Sequence, residues 1–171
     1  MRNALVILLT LLVGCTASYQ VNDLSGAAAV HLDRTKGVYV AVPQDGAYGT
    51  TVSLGSGQIV AQAVADAFSG LAARVHIAES AVGEDHSIVA AKSLNAKYLI
   101  EPVIVHWEER ATEWSGRPSR MAIRLSIIDV TTGDQVTSSA IEGRSRIVSF
   151  TATSPESLLR DPLARYVRGL Y

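Results

Sequence analysis

Three carboxylates, Glu108, Glu109 and Glu113, crowd one short stretch of this chain. Two carboxylates held roughly 5–9 Å apart can cleave a glycosidic bond, so the cluster admits a glycan hydrolase. Arg110, Arg117 and Arg120 stand beside them, and ordinary surface ion pairs are the expected result of such mixing. The four histidines are His31, His76, His86 and His106, and none forms an H-x-H pair or an H-E-x-x-H set. His106 and Glu108 lie two apart on an expected strand and so share a face, but no third ligand is evident and no metal is assigned. Gly55-Ser56-Gly57 opens an expected helix, where backbone amides favour anions. A dinucleotide pattern would need glycine at position 60, which is Val60, and no Walker lysine follows. That segment reads as a plain helix start, and no cofactor is assigned. No G-x-S-x-G elbow occurs, and the chain is read as non-enzymatic.

The one thiol of the chain has a more definite chemistry. Arg2 is followed by an apolar run over residues 4–13, broken only by Thr10. That is too short for a transmembrane helix, which takes about 20 residues, and matches the layout of a secretory signal. Leu12-Val13-Gly14-Cys15 then resembles the lipobox of lipoprotein signal peptidase. The apolar and small residues let the backbone enter the protease, and the Cys15 thiol receives the diacylglycerol. Residues 1–14 are accordingly expected to be a signal peptide, with Cys15 the lipidated amino terminus. Acyl chains contribute about 0.8 kcal/mol per buried methylene, and two already anchor stably. In the lipoproteins this resembles, Asp after the cysteine favours inner-membrane retention. Thr16 stands here, which points to the periplasmic face of the outer membrane.

Composition narrows the rest. With 15 basic and 16 acidic residues the chain is nearly neutral and has no long run of like charge, so nucleic acid is not an expected partner. Residues 15–36 show no sustained period and read as a lipidated tether, with a helical turn near 24–32. Residues 37–171 suffice for a single domain.

The elements that must position the candidate residues follow from periodicity. A β-branched run over 37–42 closed by Pro43 predicts a strand. Ile59, Val60, Ala63, Val64, Ala67, Phe68 and Leu71 form one buried face of a helix over 56–72, opposite Gln58, Gln62, Asp66 and Ser69. Residues 74–78 read as a short strand. Residues 84–95 read as a helix with Ile88, Ala91 and Leu94 inward and Asn95 as its cap. A strand over 97–107 contains Pro102, which removes a ladder donor and calls for an edge or a bulge. After a polar loop over 108–118, Met121, Ile123, Leu125 and Ile127 alternate with polar or small neighbours in a strand over 121–130. A turn at 131–134 returns the chain over 135–148. Ser154-Pro155 and Asp161-Pro162 each read as a helix start, and Leu163, Tyr166, Val167 and Leu170 give the last helix its stripe. The order β-α-β-α-β-β-β-α predicts an α/β (α+β) fold, a mixed sheet of about five strands covered by helices.

Both tryptophans fall at the loop between two of these strands, and Trp and Arg are the types that dominate interface energetics. Trp107, Glu108, Arg110, Glu113 and Trp114 are the candidate partner-binding residues; the alternative is that Trp107 packs into the core and Trp114 covers the base of the loop. The segments Val38 to Gly49 (VYVAVPQDGAYG) and His106 to Gly116 (HWEERATEWSG), with the lipobox and Gly55-Ser56-Gly57, resemble a family of proteobacterial lipoproteins catalogued as a domain of unknown function (4823). That resemblance brings no activity to transfer. The helix-into-strand segment Ala91 to Ile100 (AKSLNAKYLI) is similar to the fold of the amino-terminal domain of the Tol translocation protein, shared by lipoprotein activators of penicillin-binding proteins. The expected function is that of a membrane-anchored periplasmic lipoprotein that binds an envelope protein in an assembly or regulatory role. The alternative is a peptidoglycan-binding or peptidoglycan-acting protein that uses the acidic loop.

Overall fold

The computed structural model of the chain describes residues 18–25, 30–108, 118–145 and 155–171. Its elements are β1 (Ser18–Asp23), β2 (Gly37–Val40), a small hairpin of β3 (Ala47–Tyr48) and β4 (Thr51–Val52), α1 (Ser56–Phe68), β5 (Arg74–Ile77), α2 (Glu84–Ser93), β6 (Ala96–Glu108), β7 (Arg120–Asp129), β8 (Gln135–Arg144) and α3 (Ser157–Gly169). The main sheet has six strands in the order β1-β8-β7-β6-β2-β5. β2 runs parallel to β5 and β6, while β6, β7, β8 and β1 pair antiparallel. This is the expected mixed α+β architecture, with one more strand in the main sheet than expected.

The additional strand is β1. Its residues are exposed except for half-buried Tyr19, so no apolar run marks it out in the sequence. It nevertheless pairs along its whole length, from Ser18 opposite Arg144 to Asp23 opposite Ser139. The following segment is also tied down: Leu32 is buried, and its amide donates to the Leu170 carbonyl at 2.7 Å. Residues 18–25 and 30–36 are therefore part of the folded body rather than a tether, and the described ones contain no helical turn.

All four residues of β2 are buried, as a strand covered on both faces must be. α1 covers one face with Val60, Ala61, Val64 and Phe68, which have no exposed surface. Val60, Val64 and Phe68 each contribute about 1.5–3 kcal/mol on burial, and Ala61 less. Ile59, expected inward, is exposed at the rim of that face. The helix stops at Phe68 rather than 72 because Gly70 takes a left-handed φ of 78°. From β2 the chain steps outward to β5, then back across β2 to β6. With right-handed crossovers this reversal puts α2 on the face opposite α1. α2 buries Ser87 and Ala91, and Asn95 ends it at a left-handed φ of 55°. Leu94 falls in that turn and is exposed rather than inward.

The antiparallel half is covered differently. Met121, Ile123, Leu125 and Ile127 lie opposite Gly143, Ile141, Ser139 and Thr137, all toward α3. The two proline-led starts expected near the carboxyl end are a single helix: Pro155 precedes it, and Pro162 lies within it. A proline there forfeits only the bond to the Leu158 carbonyl, close to the helix start. Gly143 lets α3 approach the sheet, since a Cβ on it would stand 2.9 Å from Leu158 Cβ and 2.8 Å from Met121 Cε.

Pro102 sits in β6, a central strand, opposite Leu125. Its missing amide belongs to the side facing β2, and β2 has already ended: Val40 pairs with Ile100, and the last bond runs from the Ala41 amide to the Ile100 carbonyl. From Pro102 onward β6 has an open flank on that side, which meets the edge requirement. The bulge comes later, between Ile104 and His106.

Candidate functional site

The bulge at Val105 organises the end of β6. It carries one extra residue, so Ile104 and Trp107 both point toward the helical core while His106 and Glu108 point to the other face. Trp107 is 3 % exposed and lies against the loop after β2. A Cβ on Gly46 would stand 2.6 Å from Trp107 Cβ, so glycine is required for that approach. Trp107 therefore holds the base of the loop and is not a surface for a partner.

Glu108 is also buried, and its Oε2 lies 3.3 Å from His106 Nε2. The expected shared face of these two residues exists, and the two side chains meet on it. Among the described residues no third His, Asp or Glu joins them in a metal-binding group. The Tyr48 ring from the β3–β4 hairpin meets the His106 ring edge-on at 5.6 Å. Glu109, Arg110, Glu113, Trp114 and Arg117 lie outside the described residues, as do Cys15 and its lipobox residues Leu12, Val13 and Gly14.

On the face of His106 and Glu108, the strand ends form a row. Glu108 is opposite Arg120, Arg120 is opposite Arg144, and Arg144 is opposite Ser18. Ser18, Arg120 and Arg144 of this row, with Gln20, His106 and Glu142, line an open hollow of about 390 Å³. The residues beyond Glu108 in this row were not singled out in the sequence. Only the pairing register unites positions 18, 120 and 144, and no local spacing shows it.

A second constellation explains Gly55-Ser56-Gly57. Asp45 reaches the start of α1 and accepts from the Gly57 amide at 2.8 Å and the Gly55 amide at 3.0 Å. The Gly46 amide donates to Ser56 Oγ at 2.8 Å. These amides hold the Asp45 carboxyl below its usual range, that of Gly57 most. The place a phosphate would take at this helix start is filled by the protein's own carboxylate. A Cβ on Gly57 would stand 2.3 Å from the Pro43 carbonyl, so the contact is also sterically closed. The Glu101 carboxyl, on the α2 side of β6, is pushed up by burial and then by Glu84, with Arg124 acting against them. Among the described residues no helix is long and apolar enough to cross a membrane.

The chain belongs to the family described as a domain of unknown function (DUF4823), which matches residues 30–170. Two crystal structures of the PelC dodecamer from Paraburkholderia phytofirmans share its fold. One, a point variant, is 18% identical with a TM-score of 0.65, covering 91% of this chain and 98% of the PelC chain. The other is 21% identical with a TM-score of 0.64, covering 86% and 96%. No curated protein matches the chain.

Proposed function

We propose that this member of the family is a lipoprotein, anchored through Cys15 at the periplasmic face of the outer membrane, whose domain acts without catalysis by binding protein. The reading is carried by the outer part of the sheet. α1 and α3 cover one face, but on the other face β7, β8 and β1 expose Arg124, Glu142, Gln20 and Asn22, with half-buried Ala122 and Ala140 between them. An open face of this kind offers a protein partner area to cover, whereas a small molecule is held in a concave apolar site. β1 adds to the same region a sheet edge that no further strand covers among the described residues, and such edges are templates for further strands. The PelC chains of like fold form dodecamers, and self-association through this half of the sheet is one form the same mode takes. The lipobox residues Leu12, Val13 and Gly14 direct cleavage before Cys15, and Cys15 carries the anchor.

The test is crosslinking in the envelope from a photoreactive residue placed at Arg124, and separately at Trp114. A discrete protein adduct, including a dimer of the chain itself, is the expected result at one or both positions. Adducts to glycan strands alone would overturn the reading in favour of a cell-wall role, and no adduct at either position would remove these surfaces from it. If the loop takes part, Trp114→Ala reduces partner capture while the folded fraction stays nearly unchanged.

A further inference from the structure

Three peptide links join Cys15 to Ser18. Each residue spans at most ~3.6 Å, so Ser18 lies within about 11 Å of the cysteine whatever path the links take. Ser18 is the first residue of β1, and the anchor therefore fixes a particular end of the sheet as well as the protein. That end also holds the end of β6 at Glu108, the start of β7 at Arg120 and the end of β8 at Arg144.

Its chemistry is that of a lipid interface. Arg120 and Arg144 face each other across neighbouring strands, both exposed, and neither forms an ion pair among the described residues. Like charges directly opposite are destabilising in a sheet, and a phosphate between them removes that cost through the donor forks of the two guanidinium groups. Apolar side chains stand nearby on the hairpin and at the bulge. Val105 is 65% exposed, Val52 53% and Tyr48, on the His106 ring, 47%. Tyrosine favours the headgroup level of a bilayer. Glu142 is the exposed carboxylate beside the pair, two residues from Arg144, and Glu108 is buried against His106. Among the described residues, two guanidinium groups stand here against one exposed carboxylate, a set suited to individual phosphates rather than to a wide field.

We infer that this end of the sheet is seated on the membrane, with Tyr48, Val52 and Val105 at the interface and Arg120 and Arg144 on the phosphates of anionic lipid headgroups. The inference rests on the proposed acylation of Cys15 and adds to it an orientation, with the β7–β8 turn pointing away from the bilayer.

Acylated Cys15 leaves no other thiol in the chain, so an introduced cysteine is labelled alone. Full-length lipidated Gln20→Cys and Thr132→Cys proteins, each carrying a fluorophore, are inserted into vesicles of phosphatidylglycerol and phosphatidylethanolamine that contain a headgroup-quenching lipid. The two sites are separated by the length of β7, roughly 30 Å at ~3.4 Å per residue. The expected result is that the label at 20 loses most of its emission and the label at 132 keeps it. Adding Arg120→Ala and Arg144→Ala restores part of the lost emission at 20, as does replacing phosphatidylglycerol by phosphatidylcholine. Equal quenching at both positions would overturn the seat, and so would an unquenched label at 20 in protein whose acyl mass is verified. Quenching at 20 that ignores both arginine substitutions and lipid charge would overturn the headgroup contact. A missing acyl mass would overturn the anchor itself, and the seat with it, so the two failures are told apart.

Discussion

The parallel half of the sheet, β5-β2-β6, and the antiparallel half, β7-β8-β1, are built under different constraints. In the parallel half helices lie on both faces, and β2 has no exposed residue. The loop after β2 is pinned there by Asp45, Gly46 and Gly57, with tolerances that exclude a single methyl group. In the antiparallel half one face meets α3 and the other has open positions at Arg124, Glu142 and Gln20. The open sheet positions therefore lie in the second half, while the strands of the first are covered. The contrast is measurable one residue at a time.

Trp107→Ala has the largest expected effect, a loss of about 3–5 kcal/mol on urea denaturation, because it empties the space beneath Gly46. A loss below about 1 kcal/mol would mean that the loop after β2 is not anchored at this point. Gly57→Ala drives a methyl group into the Pro43 carbonyl and is expected to cost about 1–3 kcal/mol, read by the same measurement. The Asp45 contact adds a pH signature. A carboxyl held below its usual range contributes stability that is complete above its unfolded pKa, about 3.9, and is lost as pH falls through the folded value. Wild-type stability is expected to drop below about pH 4, and Asp45→Asn to flatten that drop in denaturation midpoints taken between pH 6 and 3. At the other extreme Glu142→Gln, on the open face, should change stability by less than about 0.5 kcal/mol. A larger loss would show the open face to be under structural constraint, and would erase the distinction between the halves.

The legible parts of this fold were those with a local signature. The period of α1, the alternation of β7 and the cap at Asn95 each follow from neighbours in sequence, and each is found in place. What escaped depends on distant partners. β1 is a polar, exposed edge strand, and only β8 gives it an address. Gly70 carried a stop signal that the continuing apolar pattern through Leu71 masked. Pro162 suggested a new helix because proline favours a first turn, whereas α3 absorbs it within one helix. At the candidate site, Trp107 stands among charges, so core and partner surface were both open readings, and its burial is decided by Gly46, far away along the chain. Gly55-Ser56-Gly57 resembled an anion cradle and is one, for Asp45.

The pairing of β1 with β8 has a bearing on export. Residue 18 finds its partner at residue 144, and Leu32 is hydrogen-bonded to Leu170. A chain that crosses a membrane amino terminus first delivers β1 at the beginning of translocation and its partners only at the end. Long-range closure of this kind is slow and all its ordering cost precedes its reward. In the export proposed here, the sheet cannot be completed until residue 144 has emerged, nor the fold closed until the last helix has followed.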